Sequence, residues 1–525
     1  IFNLFFYLII YFSKIDLLNI SFTIVYSLIF FVLVFSSRIT ASIIINIVST
    51  DYNNENVIIY GVNEISEKLL GVLNKNVYCI ISDNIDEQNQ YLNKYKIINS
   101  SNLKTILQNN LITKIYFCEA NLDNTKKKSV INQISSFNVG IIFLDTVDSL
   151  YSNKINSFID NIEVDMITNR NLNYQSDKIV NLLNNKNCLV TGGGGSIGSQ
   201  LCLELLKYNI NTLYIVDNSE YNLFKINEEI KNLIKQKNLN TIITAKLINL
   251  NDKNILKNFL NKIHIDILFH VAAYKHVELV EKNVIEAINN NIFGTINLLE
   301  NLDYHHLKNI TLVSSDKAVK PINIMGQTKR FNEILFQKYS QKYVNTIFSV
   351  VRFGNVVKSA GSVIPKFINQ IKLGNNVTVT DPEVKRYFMS INEAVSLILN
   401  STSLSNKFEI YYLQMGEQIK IVNIAKKIIN LSGYNYTYDK NEKGKSILIE
   451  FVGLKKGEKL EEDLFDDANF ETTNNNNILQ LNRPFHKINV VEFNNELENL
   501  KLSIQNNDID NANLIVKKII NKKYF

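Results

Sequence analysis

The sequence predicts an α/β protein: two tandem Rossmann-like, doubly wound domains that follow apolar N-terminal transmembrane helices. Three observations predict it. Two short β-branched runs end in glycine, Val57-Ile58-Ile59-Tyr60-Gly61 and Cys188-Leu189-Val190-Thr191-Gly192. Each is followed by a helical pattern and a second apolar run, Val77–Ile81 and Leu213–Val216, and strands alternating with helices imply a parallel sheet. Ahead of both, Leu17–Phe35 runs for about 19 residues without a charge, the length that crosses a bilayer core as a helix.

The N-terminal segment, residues 1–38, opens with the apolar stretch Ile1–Phe12; Ser13-Lys14-Ile15-Asp16 breaks it, and Ser36-Ser37-Arg38 closes the span that follows. No basic leader precedes the span and no small-residue cleavage site follows it, which argues against a signal peptide, and its length argues against a core helix. One complete span preceded by the end of another is expected, hence an incomplete N-terminus. The Lys-rich, cysteine-poor remainder is expected on the cytoplasmic side of the inner (plasma) membrane, with Arg38 facing inward.

Hydrophobic residues at 46% against 20% charged suffice for large cores. The net charge of +6 is scattered, with no basic stripe interleaved with aromatics, which excludes nucleic acid as a partner. Cys79, Cys118, Cys188 and Cys202 lack metal-ligand spacing and read as reduced core thiols, so no metal is expected.

In the first α/β segment, about 52–170, the loop reads Gly61-Val62-Asn63-Glu64-Ile65-Ser66. A phosphate cradle wants glycine where Asn63 stands, because a side chain obstructs the pyrophosphate. This domain therefore reads as a degenerate Rossmann-like unit with a structural or regulatory role.

The second segment, about 175–475, carries Thr191-Gly192-Gly193-Gly194-Gly195-Ser196-Ile197-Gly198 between a strand and a helix. Gly192 allows the turn off the strand, Gly195 admits the pyrophosphate to the backbone, and Gly198 lets the helix lie close on the sheet. Asp217 ends the next strand about twenty residues on, where a carboxylate accepts both ribose hydroxyls and repels a 2′-phosphate, so NAD is favoured over NADP.

Further strands end at His270-Val271-Ala272-Ala273-Tyr274-Lys275-His276 and at Ser314-Ser315-Asp316-Lys317. Polar groups just past the carboxyl ends of such strands line the ligand crevice, and an acid beside an amine there serves proton transfer in both directions. Met325-Gly326-Gln327-Thr328-Lys329 follows. Short-chain dehydrogenases carry Tyr-x-x-x-Lys on a helix at this point; Met325 takes the tyrosine's place and exchanges no proton, whereas Lys329 can still hold the nicotinamide ribose. Proton chemistry then falls to Asp316, Lys317 and Ser315. From about 475 the pattern decays: Thr472–Asn477 is a polar linker, and 476–525 reads as a terminal helix or a loose tail.

The blocks Thr191–Ser199, His270–Val277, Asn291–Thr295, Ser314–Val319, Met325–Arg330, Val351–Val356, Gly361–Pro365, Arg386–Met389 and Gly457–Leu460 resemble the membrane-bound UDP-N-acetylglucosamine 4,6-dehydratases of the polysaccharide biosynthesis (CapD-like) family. The methionine in place of tyrosine is usual in that family's large membrane-bound branch. The resemblance implies an NAD-dependent cycle in which the sugar is oxidised at C4, loses water across C5–C6 and is reduced at C6, for cell-surface glycan synthesis. It implies Lys317 as the C5 base, Asp316 as the acid for the leaving hydroxyl, and Ser315 as a partner of the 4-hydroxyl. Ser196, Ile197, Ser219, Asn249, Leu250, Ala272, Ala273, Tyr274, Asn291 and Lys329 fall on cofactor positions. Lys275, His276, Asn355, Arg386 and Glu458 fall on positions facing the UDP-sugar. A homo-oligomer is expected. Glu278, Lys320, Lys455-Lys456 and Met166–Arg170 depart from the family pattern without removing a proposed catalytic group. Two alternatives stand beside this one: a UDP-sugar 4-epimerase, which normally needs the missing tyrosine, and a non-catalytic scaffold of a membrane glycan-assembly complex.

Overall fold

The computed structural model describes residues 28–40, 56–73, 76–118, 124–144, 146 and 177–522, apart from 358, 360, 443–445, 464–468, 476 and 483–484. The chain divides into two compact units, the smaller built around residues 56–124 and 139–146 and the larger around 125–138 and 177–522.

Residues 28–40 are helical, with Leu28, Phe31 and Phe35 exposed. Among the described residues, no helix is long and apolar enough to cross a membrane. Residues 17–27 of the expected span, and the stretch Met166–Arg170, lie outside the described residues.

The smaller unit is an α/β fold. Its central strands Asn76–Ile81, Asn56–Tyr60, Ile112–Phe117 and Gly140–Phe143 run parallel, with Tyr95–Ile98 beside the first and a short antiparallel Tyr91–Leu92 at the edge. Ile58, Ile59, Ile80 and Ile115 are fully buried, as strands covered on both faces require.

The larger unit is organised by one sheet of nine strands among the described residues: β1 (Asn187–Thr191), β2 (Thr212–Asp217), β3 (Ile242–Leu247), β4 (Ile267–His270), β5 (Asn309–Val313), β6 (Ile347–Arg352), β7 (Glu409–Leu413), β8 (Asn469–Thr472) and β9 (Ile478–Asn482). Their order is 8-9-7-6-5-4-1-2-3. Strands β1 to β7 are parallel, and β9 and β8 add antiparallel. The order 3-2-1-4-5-6 is that of a doubly wound dinucleotide fold, with a switch point between β1 and β4. Helix α1 (Ser196–Leu205) follows β1 and buries Leu201, Cys202 and Leu205; helix α2 (Ile324–Lys342) follows β5 and buries nearly its whole length. All four cysteines are buried and free, and burial pushes the Cys79 and Cys118 thiols up to about 12.

A small lobe sits within the same unit. A parallel sheet of Val377–Val379, Ser446–Phe451 and Asn435–Thr437 packs with helices Val363–Lys372 and Ile421–Leu431 through Phe367, Ile371, Ile424 and Ile428. Burying side chains of this size contributes about 1.5–3 kcal/mol each.

The stretch read as a terminal helix or loose tail is integral to the fold. Strand β9 pairs with β7, and two helices, Val490–Gln505 and Ile509–Ile520, set Phe493, Leu500, Ile515, Val516 and Ile519 into the main core. A break at 475 therefore does not exist: β8 and β9 form a hairpin across it.

Candidate active site

The carboxyl ends of the parallel strands lie in register: Thr191 opposite Val216 and His270, His270 opposite Leu312, and Val313 opposite Val351. The loops leaving these ends share one edge of the sheet, where an open α/β sheet takes its ligand.

The glycine loop is packed so that side chains are excluded. Gly192 has φ +70, and a Cβ there would meet the Ala272 backbone at 2.7 Å; one on Gly198 would stand 2.1 Å from the Gly192 carbonyl oxygen. Gly195 caps α1 with no side-chain hydrogen bond, and a Cβ there would meet only the Gly192 carbonyl oxygen at 3.3 Å. No side chain caps this helix end, whose dipole favours an anion. Gly193 and Gly194, to which the spacing assigned no role, are equally constrained: a Cβ would strike Ile215 at 2.4 Å and Asn222 at 2.7 Å. Asp217 accepts the Gly194 N–H at 2.8 Å and, through its other oxygen, the Ser219 N–H at 2.8 Å, so the carboxylate holds the loop in shape. A cradle that any Cβ would fill, above an uncapped helix, fits a dinucleotide.

The corresponding loop of the smaller unit is built differently. Asn63 Oδ1 accepts the N–H groups of Ile65 at 3.0 Å and Ser66 at 3.1 Å, and the Ser66 hydroxyl accepts the Asn63 N–H at 2.9 Å. This capping box satisfies the groups that a phosphate would need.

Residues expected on the cofactor divide into two kinds. Ala272 and Ala273 line the loop after β4, and Ser196 and Ile197 open α1. Asn291 is fully buried within a π-turn, Asn289–Phe293. Its amide accepts the Tyr274 N–H at 2.8 Å and donates to the Tyr274 carbonyl at 3.1 Å and the Thr328 hydroxyl at 3.0 Å. It clamps the Tyr274 backbone to α2. Asn249 is exposed, its Oδ1 accepting the Asn251 N–H at 2.9 Å, while Leu250 belongs to the core. Beneath these loops His270 is fixed between Thr191 (Nδ1, 2.7 Å) and Thr295 (Nε2, 2.8 Å). Thr295 gives its own proton to the Asn291 carbonyl, so Nε2 is the donor toward Thr295 and Nδ1 accepts from Thr191. Burial, with the Lys329 charge adding, lowers His270 to about 3, so the ring is a neutral strut.

Strand β5 delivers Ser315, Asp316 and Lys317 into a single turn of 3-10 helix, Asp316–Ala318, capped by the Ser315 hydroxyl. Asp316 is buried; its Oδ1 accepts from Ser315 Oγ at 2.8 Å and from Lys317 Nζ at 3.1 Å. Its Oδ2 is buried with no hydrogen-bond partner. Lys317 Nζ also donates to Asn355 Oδ1 at 3.2 Å and lies 3.6 Å from Glu462 Oε1. Burial would depress this ammonium, but Asp316 and Glu462 outweigh it and hold the group above its ordinary range.

Helix α2 is seated against that turn. Met325 is buried among apolar neighbours, and Lys329 Nζ donates to the Val313 carbonyl at 2.9 Å. Burial lowers Lys329 to about 8, opposed by Glu333. One turn on, Glu333 holds Arg352 of β6 through Nε at 2.7 Å and Nη2 at 2.5 Å and accepts the Ser314 hydroxyl at 2.6 Å, a fully buried knot that fixes α2 on β5 and β6.

Arg386, expected to face the UDP-sugar, is 5% exposed and turned to the chain. It donates to the carbonyls of Lys385 at 2.7 Å, Lys459 at 2.8 Å and Leu460 at 3.0 Å, and reaches Glu458 at 3.4 Å. The two residues therefore fasten the 457–462 segment, whose Glu462 reaches Lys317. His276 lies under Gly361, where a Cβ would stand 2.3 Å from the imidazole, and burial lowers both His276 and Lys275. Two site residues gave no sequence signal: Glu462 is hidden in the acidic run Glu458–Asp463, and Glu281, which accepts the Ile324 N–H at 2.7 Å, sits in an ordinary helical pattern. Among the described residues no cluster has the composition of a metal site.

Residues 188–483 match the family model described as polysaccharide biosynthesis protein, and residues 53–119 match one described as C2185-like, N-terminal. The capsular polysaccharide biosynthesis protein CapD of Staphylococcus aureus is 40% identical over 284 residues, 54% of this chain and 46% of CapD, so the chain spans about half the length of that relative. A UDP-glucose 4-epimerase of Rickettsia canadensis is 32% identical over 53% of this chain and 77% of its own length. The X-ray structure of Pen from Bacillus thuringiensis superposes with a TM-score of 0.51 at 32% identity, covering 58% of this chain and 90% of Pen. A glycine cradle, an acid–amine pair at a strand end and a family match over more than half the sequence agree: the chain belongs to the CapD-like polysaccharide biosynthesis protein family of the short-chain dehydrogenase/reductase superfamily, whose fold it carries in residues 188–483.

Proposed function

We propose that the chain is an NAD-dependent hydro-lyase that converts a UDP-N-acetylhexosamine, UDP-GlcNAc, to its 4-keto-6-deoxy derivative. One observation carries this reading: Asp316 and Lys317 form a buried acid–amine pair at the end of β5, with one Asp316 oxygen unpartnered, beside a helix whose tyrosine position is Met325. An enzyme that only interconverts epimers needs one proton acceptor at O4; elimination across C5–C6 needs a base and an acid together.

The glycine loop, Asp217 and Lys329 would hold the dinucleotide, which supplies a reversible hydride acceptor when bound. The remaining work falls on side chains of this chain. At rest the pair carries its proton on Lys317. Passing that proton over 3.1 Å to Asp316 Oδ1 gives a neutral amine and a carboxylic acid without change of net charge. The amine then takes the C5 proton, and the acid protonates the leaving 6-hydroxyl. Ser315, which donates to Asp316, would meet the 4-hydroxyl in this reading. Attachment to a membrane through Leu17–Phe35 is part of the same reading, supported by the length and apolarity of that stretch.

Incubating the chain with UDP-GlcNAc and NAD, with no added reductant, should yield a 4-keto-6-deoxy sugar nucleotide lighter than the substrate by one water. A product of unchanged mass would instead mark epimerisation. Lys317→Ala should abolish water loss; a fully active Lys317→Ala enzyme would overturn the assignment.

A further inference from the structure

Beyond the acid–amine pair stands a second carboxylate. Glu462 is 3% exposed, and its Oε1 lies 3.6 Å from Lys317 Nζ and 3.9 Å from Arg386 Nε. Its backbone is fastened from several sides. Gln418 donates to the Glu462 carbonyl at 3.1 Å, Lys385 donates through its N–H to the Leu460 carbonyl at 2.8 Å, and Arg386 holds the carbonyls of Lys459 and Leu460. Nothing in the dehydration requires a second acid, and an unneeded buried carboxylate is costly to fold.

We infer that Glu462 is a positioning residue for Lys317: it fixes the Nζ atom over the reacting carbon and stabilises the ammonium that forms when the amine takes the C5 proton. The inference rests on the dehydratase reading for its reaction, but its electrostatic core concerns this chain alone. Proton abstraction places a positive charge on Nζ, and a fixed anion beside that point favours the charged product and the transition state leading to it. Asp316 cannot serve that purpose throughout, since it is a neutral acid, holding the proton meant for the leaving hydroxyl, while the amine takes the C5 proton. The groups facing Nζ are Asp316 on its own turn, neutral Asn355 from the loop after β6, Glu462, and the Arg386 cation behind Glu462; Lys459 faces Glu462 from its own segment. Burial raises the Glu462 carboxyl and Asp316 adds to this, while Lys317, Arg386 and Lys459 oppose it, so the carboxylate form depends on these cations.

The test is a pair of titrations on the full chain, wild type against Glu462→Gln. First, ε-13C-lysine NMR, with the Lys317 resonance assigned by its loss in Lys317→Arg, follows the amine without substrate. The Lys317 midpoint should fall by about one pH unit in Glu462→Gln, since an opposite charge within about 4–6 Å shifts a group by that order. An unmoved midpoint overturns the inference whatever the enzyme does. Second, with UDP-GlcNAc and NAD, Glu462→Gln should lower kcat at least about tenfold, shift the alkaline course of the pH–rate profile in the same direction, and leave KM within about threefold. A uniform loss with an unshifted profile would mean a merely structural residue. Wild type that titrates as expected yet makes no keto sugar refutes the dehydratase reading alone. Should Glu462→Gln fail to fold, Glu462→Asp, which withdraws the charge by one methylene, must show a smaller midpoint shift of the same sign.

Discussion

A Cβ added to Gly326 would stand 2.2 Å from the Lys317 carbonyl oxygen. The helix that carries Met325 and Lys329 therefore rests on the backbone of the Asp316–Ala318 turn, and no side chain fits between them. Gly326→Ala must push the two apart. We expect a fall in kcat of about 100-fold, the scale of a 1 Å misplacement of reacting groups. NAD affinity, read by fluorescence titration, should fall only a few-fold, because the glycine cradle lies on other strands and only the Lys329 contact moves with the helix. Full activity in Gly326→Ala would show that the contact does not set the geometry.

Lys329 gives a pH signature. Its folded-state value of about 8 lies below the 10.5 of an exposed lysine, so the fold bears the cost of a buried ammonium at and below pH 8. Between pH 8 and 10.5 the unfolded chain binds the extra proton, and stability rises with pH through that window. Denaturant unfolding of wild type should gain on the order of 2–3 kcal/mol relative to Lys329→Met over this range, from a difference of 2.5 pH units. Parallel curves for the two proteins would refute the burial of a charge there.

The Glu333–Arg352 pair is fully buried, with both side chains inaccessible. Removing one partner strands the other. Arg352→Met should cost about 3–5 kcal/mol of stability in denaturant unfolding, and adding Glu333→Leu should restore much of it. A double variant no more stable than the single would argue that Ser314 and Arg330, which also meet Glu333, carry the effect.

Gly198→Ala tests the cradle. Its Cβ would stand 2.1 Å from a carbonyl oxygen that cannot swing aside. NAD binding should weaken by at least about 100-fold in an equilibrium titration, with loss of close helix–strand packing as the cause. Gly195→Ala, where the nearest atom is at 3.3 Å, should fold normally and lose affinity only through its intrusion on the ligand.

The parts of this site legible in sequence are those for which chemistry leaves no substitute. Glycine alone fits where a Cβ meets backbone at 2.7 Å or less, so Gly192 and Gly198 stand out in a string of letters. An acid beside an amine at the end of an apolar run is likewise visible, as Asp316 and Lys317 are. Hidden were roles set by where a polar side chain turns. Asn291 and Arg386 sit where a ligand-facing residue is expected, yet their polar atoms are engaged with the backbone of Tyr274 and of 459–460. Glu462 is one acid in a run that reads as a solvated face, and only the fold brings it to Lys317, 145 positions back. The C-terminal helices were obscured because Asn, Asp and Lys interrupt their apolar residues; wound at helical spacing, Ile515, Val516, Ile519 and Ile520 gather on one side.

Asn63 has a consequence for how many ligands the chain takes up. Its side chain seals the helix end that the fold would otherwise offer to phosphate, while Gly195 gives the equivalent end no side-chain cap. The two α/β units thus differ at their first helix end, and saturation by dinucleotide should come at one equivalent per polypeptide. Isothermal titration reaching two equivalents would mean that the asparagine yields its place, and Asn63→Gly would then raise affinity at the second site.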